Sequence, residues 1–299
     1  DTWNENVWLA SSGGGIGTNV SNIRSINEEI KGKGSTSGIM PFIKVVDSLT
    51  LAISQGSLRR GSAAVYLDIS HPEIEEFIDI RRPTGGDLNR KCLNIHHAVV
   101  ISDAFMEAVE KGEEWKLKSP ATGKVMGEVS ARDLWIKILN ARVETGEPYI
   151  LFIDAVQRGR PEIQKKLGID VKTSNLCSEI TLPTGLDHLG NIRTAVCCLS
   201  SLNLEHYEEW EKDKNFIPDI MRFLDNILSD FIKKAPEYMK NAIYSATRER
   251  SVGLGVMGFH SFLQSKMLPI EGVMAKSWNK KIFKHIKEEV DRASKLIAE

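Results

Sequence analysis

The sequence predicts an α/β fold. Strand-like and helix-like segments alternate over most of the chain, helix-cap signals punctuate them, and long amphipathic helices follow Glu205. At 299 residues the chain can bury a substantial core, as one large or two ordinary domains.

The elements follow in order. Pro41 opens an apolar run with Phe42, Val45, Val46, Leu49 and Ile53 at helical spacing, and Ala63 to Ile69 reads as a strand. Ser70 and Glu73 are spaced as a capping box with Pro72 between them, starting a helix through Ile74, Phe77 and Ile78. Leu93 to Ile101 is a strand candidate rich in β-branched residues. Ser102 is expected to cap a helix running to Gly112, and Ser130 with Asp133 a longer one ending at Gly146. Tyr149 to Ile153 is a short apolar strand, and Ile180 to Leu182 and Ala195 to Leu199 read as two more, joined by the turn-rich Gly185 to Asn191. One late helix carries Phe223, Leu224, Ile227, Leu228 and Phe231, and the last carries Ile282, Ile286 and Val290.

Composition excludes several classes of function. A net charge of -1 gives no electrostatic case for a nucleic acid polymer or a membrane surface. Cys92, Cys177, Cys197 and Cys198 are too few and too irregularly spaced for a disulfide scaffold or a zinc site, which points to a reducing, cytoplasmic compartment. No stretch approaches a membrane span, and the N-terminus has no signal-peptide pattern. A first residue other than Met reads as a processed product or an excised piece.

In an extended Ser174–Ile180 segment, Asn175, Cys177 and Glu179 would project to one side, setting an amide, a thiol and a carboxylate around one small volume. A thiol supplies a radical or nucleophilic sulfur, a carboxylate moves a proton, and an amide both donates and accepts hydrogen bonds. The same spacing also fits a half-buried strand with a wet polar face. The glycine cluster Gly13, Gly14, Gly15 and Gly17 lets backbone approach a ligand and offer N–H groups to phosphate, or forms an ordinary turn; it lacks P-loop spacing. Ser54 to Ser62 is a polar loop whose Arg59 and Arg60 can grip a phosphate or base edge, or simply face solvent. Cys197-Cys198 ends a strand candidate and could be brought near Cys177, although buried cysteine is often only a small hydrophobe. Cys92 reads as structural. His96 and His97 should point to opposite faces of a strand, against a shared metal, and no metal site is expected.

Together these segments resemble the large, catalytic subunit of ribonucleotide reductases, most closely class I. Asn175-Leu176-Cys177-Ser178-Glu179-Ile180 matches that family's radical-cysteine signature, Val196 to Leu204 resembles the segment with a redox-active cysteine, and Arg250 to Phe259 is a third characteristic stretch. The resemblance runs from the Gly13 cluster to the last helix. It implies that residues 1–299 form a catalytic barrel domain, incomplete at both ends, and part of a ten-stranded α/β barrel with Cys177 on an internal finger loop.

The resemblance also implies roles. A thiyl radical on Cys177 takes the ribose 3′ hydrogen, Glu179 removes the 3′-hydroxyl proton, Asn175 holds the sugar hydroxyls, and Cys197 is half of the reducing dithiol. Gly15, with Asn175, Leu176, Cys177, Ser178 and Glu179, would contact the substrate nucleotide. Arg24 and Lys31 fall on one effector loop, and Ser54, Gln55, Gly56, Arg59 and Arg60 on a second, for a deoxynucleotide or ATP. The implied partners are a ribonucleotide substrate, a radical-generating dimetal small subunit, a thioredoxin- or glutaredoxin-type reductant, a second copy in a homodimer and a complementing fragment. No cofactor is expected on this chain itself.

Family members are far longer. The partner cysteine of Cys197, the tyrosines that deliver the radical, a second phosphate loop and the cysteine tail find no counterpart here, so the 299-residue chain is expected not to turn over alone. Glycyl-radical acyltransferases share adjacent cysteines in a related barrel, but no glycyl-radical loop supports them. A cobalamin-dependent reductase, with adenosylcobalamin as radical source, and a non-catalytic nucleotide-binding or assembly fragment are the remaining alternatives.

Overall fold

Four strands pair as a parallel sheet in the order β1 (Ile16–Asn19), β2 (Ala63–Asp68), β3 (His96–Ile101) and β4 (Tyr149–Phe152), the last three from apolar runs. The structure, a computed structural model, describes residues 2–55 and 59–299. The chain divides into two compact units, residues 1–193 and 194–299. The sheet belongs to the first.

Period-2 alternation sorts its side chains onto two faces. Ile16, Ala63, Val65, Leu67, Val99 and Ile101 join the large core cluster built with α2 (Met40–Ala52), α3 (Ile74–Ile78), α4 (Asp103–Lys111) and α5 (Ala131–Thr145). Ala64, Tyr66, Ala98, Val100 and Leu151 form a second cluster on the opposite face, against which Tyr149, Ile153 and Leu176 pack. Phe77 and Phe105 are wholly buried in the larger cluster, where truncating either to alanine should cost about 3–5 kcal/mol.

Local signals set most boundaries. The Ser102 hydroxyl accepts the Phe105 N–H and Gly112, at φ 72°, ends α4; Ser130 accepts the Asp133 N–H and Gly146, at φ 80°, ends α5. Pro41 opens α2 as expected, but the buried face is Met40, Ile43, Val46, Asp47 and Thr50, while Phe42 is exposed. The rotation buries Asp47, which is compensated by the Asn94 backbone N–H at 2.7 Å and side-chain Nδ2 at 3.1 Å.

Other expectations are corrected. Ser70 and Glu73 form no capping box: α3 has no side-chain cap, because the Glu73 carboxylate is drawn to the backbone N–H groups of Ile26 and Ile39, each at 3.0 Å. Residues 93–95 stay outside β3. Ile180 to Leu182 is not a strand, and only Gly185–Leu186 and Ile192–Arg193 pair across that turn. An unanticipated hairpin joins Glu114–Lys118 to Val125–Ser130.

In the second unit, β5 (Cys198–Asn203) runs parallel to β6 (Val252–Met257), with Cys198 opposite Val252 and Asn203 opposite Met257. The strand expected from Ala195 thus begins at Cys198. Helix α6 (Phe216–Lys234) buries Ile217, Met221, Leu224 and Leu228 along one stripe. It is followed by α7 (Lys240–Glu249), α8 (Phe259–Ser265) and the expected last helix α9 (Val273–Ala298), which buries Ala275, Ile282, Ile286 and Ala293. Tyr207 lies edge-on to Trp210 at 4.9 Å, and Phe262 edge-on to Trp278 at 5.1 Å. No helix among the described residues is long and apolar enough to cross a membrane.

Candidate active site

Asn175, Cys177 and Glu179 do not lie on one side of a strand. The segment is a bend followed by a turn, closed by the Ile180 N–H on the Cys177 carbonyl at 3.1 Å. Two side chains capture the backbone and exclude the extended form. Asn175 Oδ1 accepts the Cys177 N–H at 2.8 Å, and the buried Ser174 hydroxyl reaches the carbonyls of Cys177 at 2.8 Å and Ile180 at 2.6 Å. Cys177, Ser178 and Glu179 are left exposed at the tip, with Asn175 and Leu176 half-buried beneath them.

The sheet holds this turn from below. Gly17 on β1 lies so close that a Cβ there would overlap the Ser174 carbonyl and the Asn175 Cα. Gly15 is brought to the turn as well: its Cβ would stand 3.2 Å from the Leu176 Cβ. The glycine cluster therefore meets the chain's own Ser174–Ile180 turn, a partner that the sequence did not reveal. Gly13, at φ 88°, terminates helix α1 (Thr2–Ser11).

Sequence reasoning missed the groups that fasten the turn. The Tyr66 hydroxyl donates to the Asn175 carbonyl at 2.6 Å, and Asn19 Nδ2 to the Lys172 carbonyl at 2.8 Å. Burial pushes the Tyr66 phenol up to about 12, and Tyr149, Cys177 and Glu179 add to the rise, against a hydrogen bond with Ser174. One signal for Tyr66 was available: a phenol inside an otherwise apolar strand needs a partner for its hydroxyl.

His96 and His97 leave β3 on opposite faces, yet both ring Nδ1 atoms reach the buried Glu147 carboxylate, His97 at 3.1 Å. Arg81 stands 3.4 Å from the same carboxylate. Burial raises the Glu147 pKa, but the two histidine hydrogen bonds and the Arg81 charge outweigh it and hold the carboxyl at about 2. Among the described residues, no group of three His, Cys, Asp or Glu side chains could hold a metal ion.

The expected effector residues fall on two peripheral loops. Arg24 and Lys31 are exposed, Lys31 in the turn of a small hairpin joining Glu29–Ile30 to Gly34–Ser35. The base of that loop is pinned by two buried carboxylates. Glu28 accepts the Ser25 N–H at 2.6 Å and the Ser119 hydroxyl, and Glu73 holds Ile26 and Ile39. Burial raises the Glu73 pKa despite those two backbone donors. In the second loop Ser54–Gln55 pairs with Arg59–Arg60, and Arg60 is exposed. Gly56 lies outside the described residues.

Cys197 lies in the second unit, exposed and just before β5. Its neighbour Cys198 is buried, and its thiol donates to the Leu224 carbonyl at 3.6 Å. Burial pushes the Cys198 thiol up. It raises the Cys92 thiol to about 12, in keeping with the structural reading of Cys92. Two sequence motifs prove to be adjoining strands, since residues 196–204 and 250–259 carry β5 and β6. Arg250, at φ 43°, bonds Asp225 and Ser229 at 2.8 Å each, and Gly258, at φ 79°, leaves room for the Asn203 side chain.

A family model described as ribonucleotide reductase, barrel domain, matches residues 1–299. The ribonucleoside-diphosphate reductase large subunit of Invertebrate iridescent virus 3 is 39% identical over 353 residues, covering 100% of this chain and 54% of that protein. A Frog virus 3 protein, provisionally given the same name, is 43% identical over 301 residues, 100% of this chain and 51% of its own. The solved structure of the Actinobacillus ureae class Id ribonucleotide reductase alpha subunit superposes with a TM-score of 0.83 at 32% identity, over 99% of this chain and 51% of that one. The chain spans about half the length of these curated relatives. It belongs to the ribonucleotide reductase large-subunit family, in its barrel domain.

Proposed function

We propose that this chain carries the radical centre of a class I ribonucleotide reductase, reducing ribonucleoside diphosphates to deoxyribonucleotides. The observation that carries the reading is the turn from Ser174 to Ile180: a thiol and a carboxylate two residues apart, both exposed on a turn bonded to a parallel sheet, with Gly15 against its Leu176.

In the proposed reaction a thiyl radical on Cys177 takes the ribose 3′ hydrogen. Glu179 accepts the 3′-hydroxyl proton as water leaves C2′, and Asn175 orients the sugar hydroxyls. Cys197 and a second thiol supply two electrons and are oxidised to a disulfide, which a thioredoxin- or glutaredoxin-type protein reduces. Such a radical needs a site closed to water. We therefore propose that residues 1–299 act within one ten-stranded barrel with Cys177 on its internal finger loop. Gly15, Leu176 and Ser178 line the substrate.

The radical itself would come from a dimetal small subunit. Arg24, Lys31, Ser54, Gln55, Gly56, Arg59 and Arg60 would bind a deoxynucleotide or ATP effector in a homodimer acting in the cytoplasm. The pinned base of the 24–38 loop supports this, because a loop that binds an effector must hold its contact residues in place. The test assays the holoenzyme containing this chain with ribonucleoside diphosphates. Deoxynucleotide formed with a dimetal small subunit supports the proposal; formation only with adenosylcobalamin overturns the class, and formation with neither overturns the function.

A further inference from the structure

One register row crosses the sheet of the first unit: Asn19 pairs with Tyr66, Tyr66 with Ala98, and Ala98 with Tyr149. Residues at one level of a parallel sheet stand on the same face. Here that face is the one carrying the Cys177 turn.

Each member of the row has a distinct part. Asn19 donates to the Lys172 carbonyl at 2.8 Å while its Oδ1 accepts the Ser21 N–H at 2.8 Å, so both ends of the amide are fixed. Tyr66, wholly buried, donates to the Asn175 carbonyl at 2.6 Å. Ala98 leaves space between two phenols. Tyr149 stacks on His96 at 5.7 Å and 11°, and the His96 ring is held by Glu147. Both phenols lie within electrostatic reach of Cys177. The adjoining row, Gly17, Ala64 and His96, has its small residues where the turn lies.

We propose that this row is the platform that fixes where the Cys177 sulfur stands, with Tyr66 as its principal positioning residue. The proposal rests on reading Cys177 as the reacting thiol. Tyr66 takes no part in the chemistry. It acts through the Asn175 carbonyl, two residues from the sulfur, and a hydrogen transfer that is off by an ångström loses about a hundredfold in rate. No other buried phenol in the described first unit bonds this turn.

The test is Tyr66→Phe, which keeps the ring and removes the hydroxyl. In the holoenzyme kcat should fall about tenfold with KM changing less, since the turn shifts the reacting thiol while the rest of the substrate's contacts stay in place. In the native chain, alkylation of Cys177 should speed up several-fold while that of Cys197, in the other unit, stays unchanged. Asn19→Asp, which keeps the acceptor for Ser21 and loses the donor to Lys172, should shift the same ratio in the same direction. Unchanged kcat and an unchanged Cys177-to-Cys197 ratio overturn the proposal, as does an equal rise at both thiols, which would mark general loosening. If Cys177→Ser holoenzyme kept its turnover, the functional reading would fail, and the alkylation ratio would then decide the platform by itself.

Discussion

Replacing Gly17 by alanine adds one methyl group at a strand position with ordinary backbone angles. General expectation is a gain of about 0.5–1 kcal/mol, because alanine restricts the unfolded chain and suits a strand better than glycine. The structure reverses the sign. The new methyl would overlap the Ser174 carbonyl and the Asn175 Cα, which are backbone atoms and cannot rotate away. Overpacking of this kind costs about 1–3 kcal/mol. The relief available is to lift the turn, which breaks the Tyr66 and Asn19 hydrogen bonds at about 1 kcal/mol each. Either route, less that gain, leaves a net loss of about 1 kcal/mol. Gly255→Ala is the control, since its Cβ would meet the Ser201 hydroxyl at 3.7 Å, an ordinary contact. Urea unfolding measures the stability, and amide exchange over residues 172–180 reads the turn directly. Gly17→Ala protein as stable as the parent, with exchange in that segment unchanged, would refute the close approach.

Two further outcomes follow from the buried carboxylates. Glu147 is held at about 2 against an ordinary 4.5, so on acidification the unfolded chain takes up its proton first. Its contribution, at most about 3 kcal/mol, is therefore complete above pH 4.5 and lost as pH falls toward 2. Urea titrations across that window should show the parent losing its stability margin over Glu147→Gln; a constant margin would count against the assignment. Glu73→Ala leaves the Ile26 and Ile39 N–H groups without their acceptor, at a cost of about 1–3 kcal/mol, and should raise amide exchange at both residues. Unaltered protection there would show that the 24–38 loop is held by something else.

Helices α4 and α5 of the first unit were legible because their signals are local, whereas Thr2–Ser11, Ile153–Gly159 and Glu162–Lys166 were not anticipated. Ser102 and Ser130 cap, Gly112 and Gly146 terminate, and the continuous apolar runs at 63–68 and 96–101 mark strands buried on both faces. What failed had a tertiary cause. Glu73 sits where a capping box needs it, but two backbone donors from distant chain compete for its carboxylate. In the hairpin, Glu114–Lys118 does alternate, with Trp115 and Leu117 set between charged residues and packed on the core, but the run is only one short strand and Val125–Ser130 does not repeat the alternation. At the candidate site the residue types were readable and their arrangement was not. Alternating Asn175, Cys177 and Glu179 imitate a strand face, whereas Ser174 and Asn175 fold the segment into a turn by bonding its own backbone. The supports Gly17, Asn19 and Tyr66 are far away in sequence, and only the sheet register brings them beneath it.

The central claim is that chemistry begins at the Cys177 sulfur. Its most direct measurement is deoxyribonucleotide formation by the holoenzyme carrying Cys177→Ser, a change that keeps the side chain's size and the turn's hydrogen bonds but removes the hydrogen-abstracting sulfur. The expected result is product at background, with Cys177 of the parent protected from alkylation by bound ribonucleotide. Turnover within about tenfold of the parent would contradict the claim, since loss of a group essential to the transition state costs orders of magnitude.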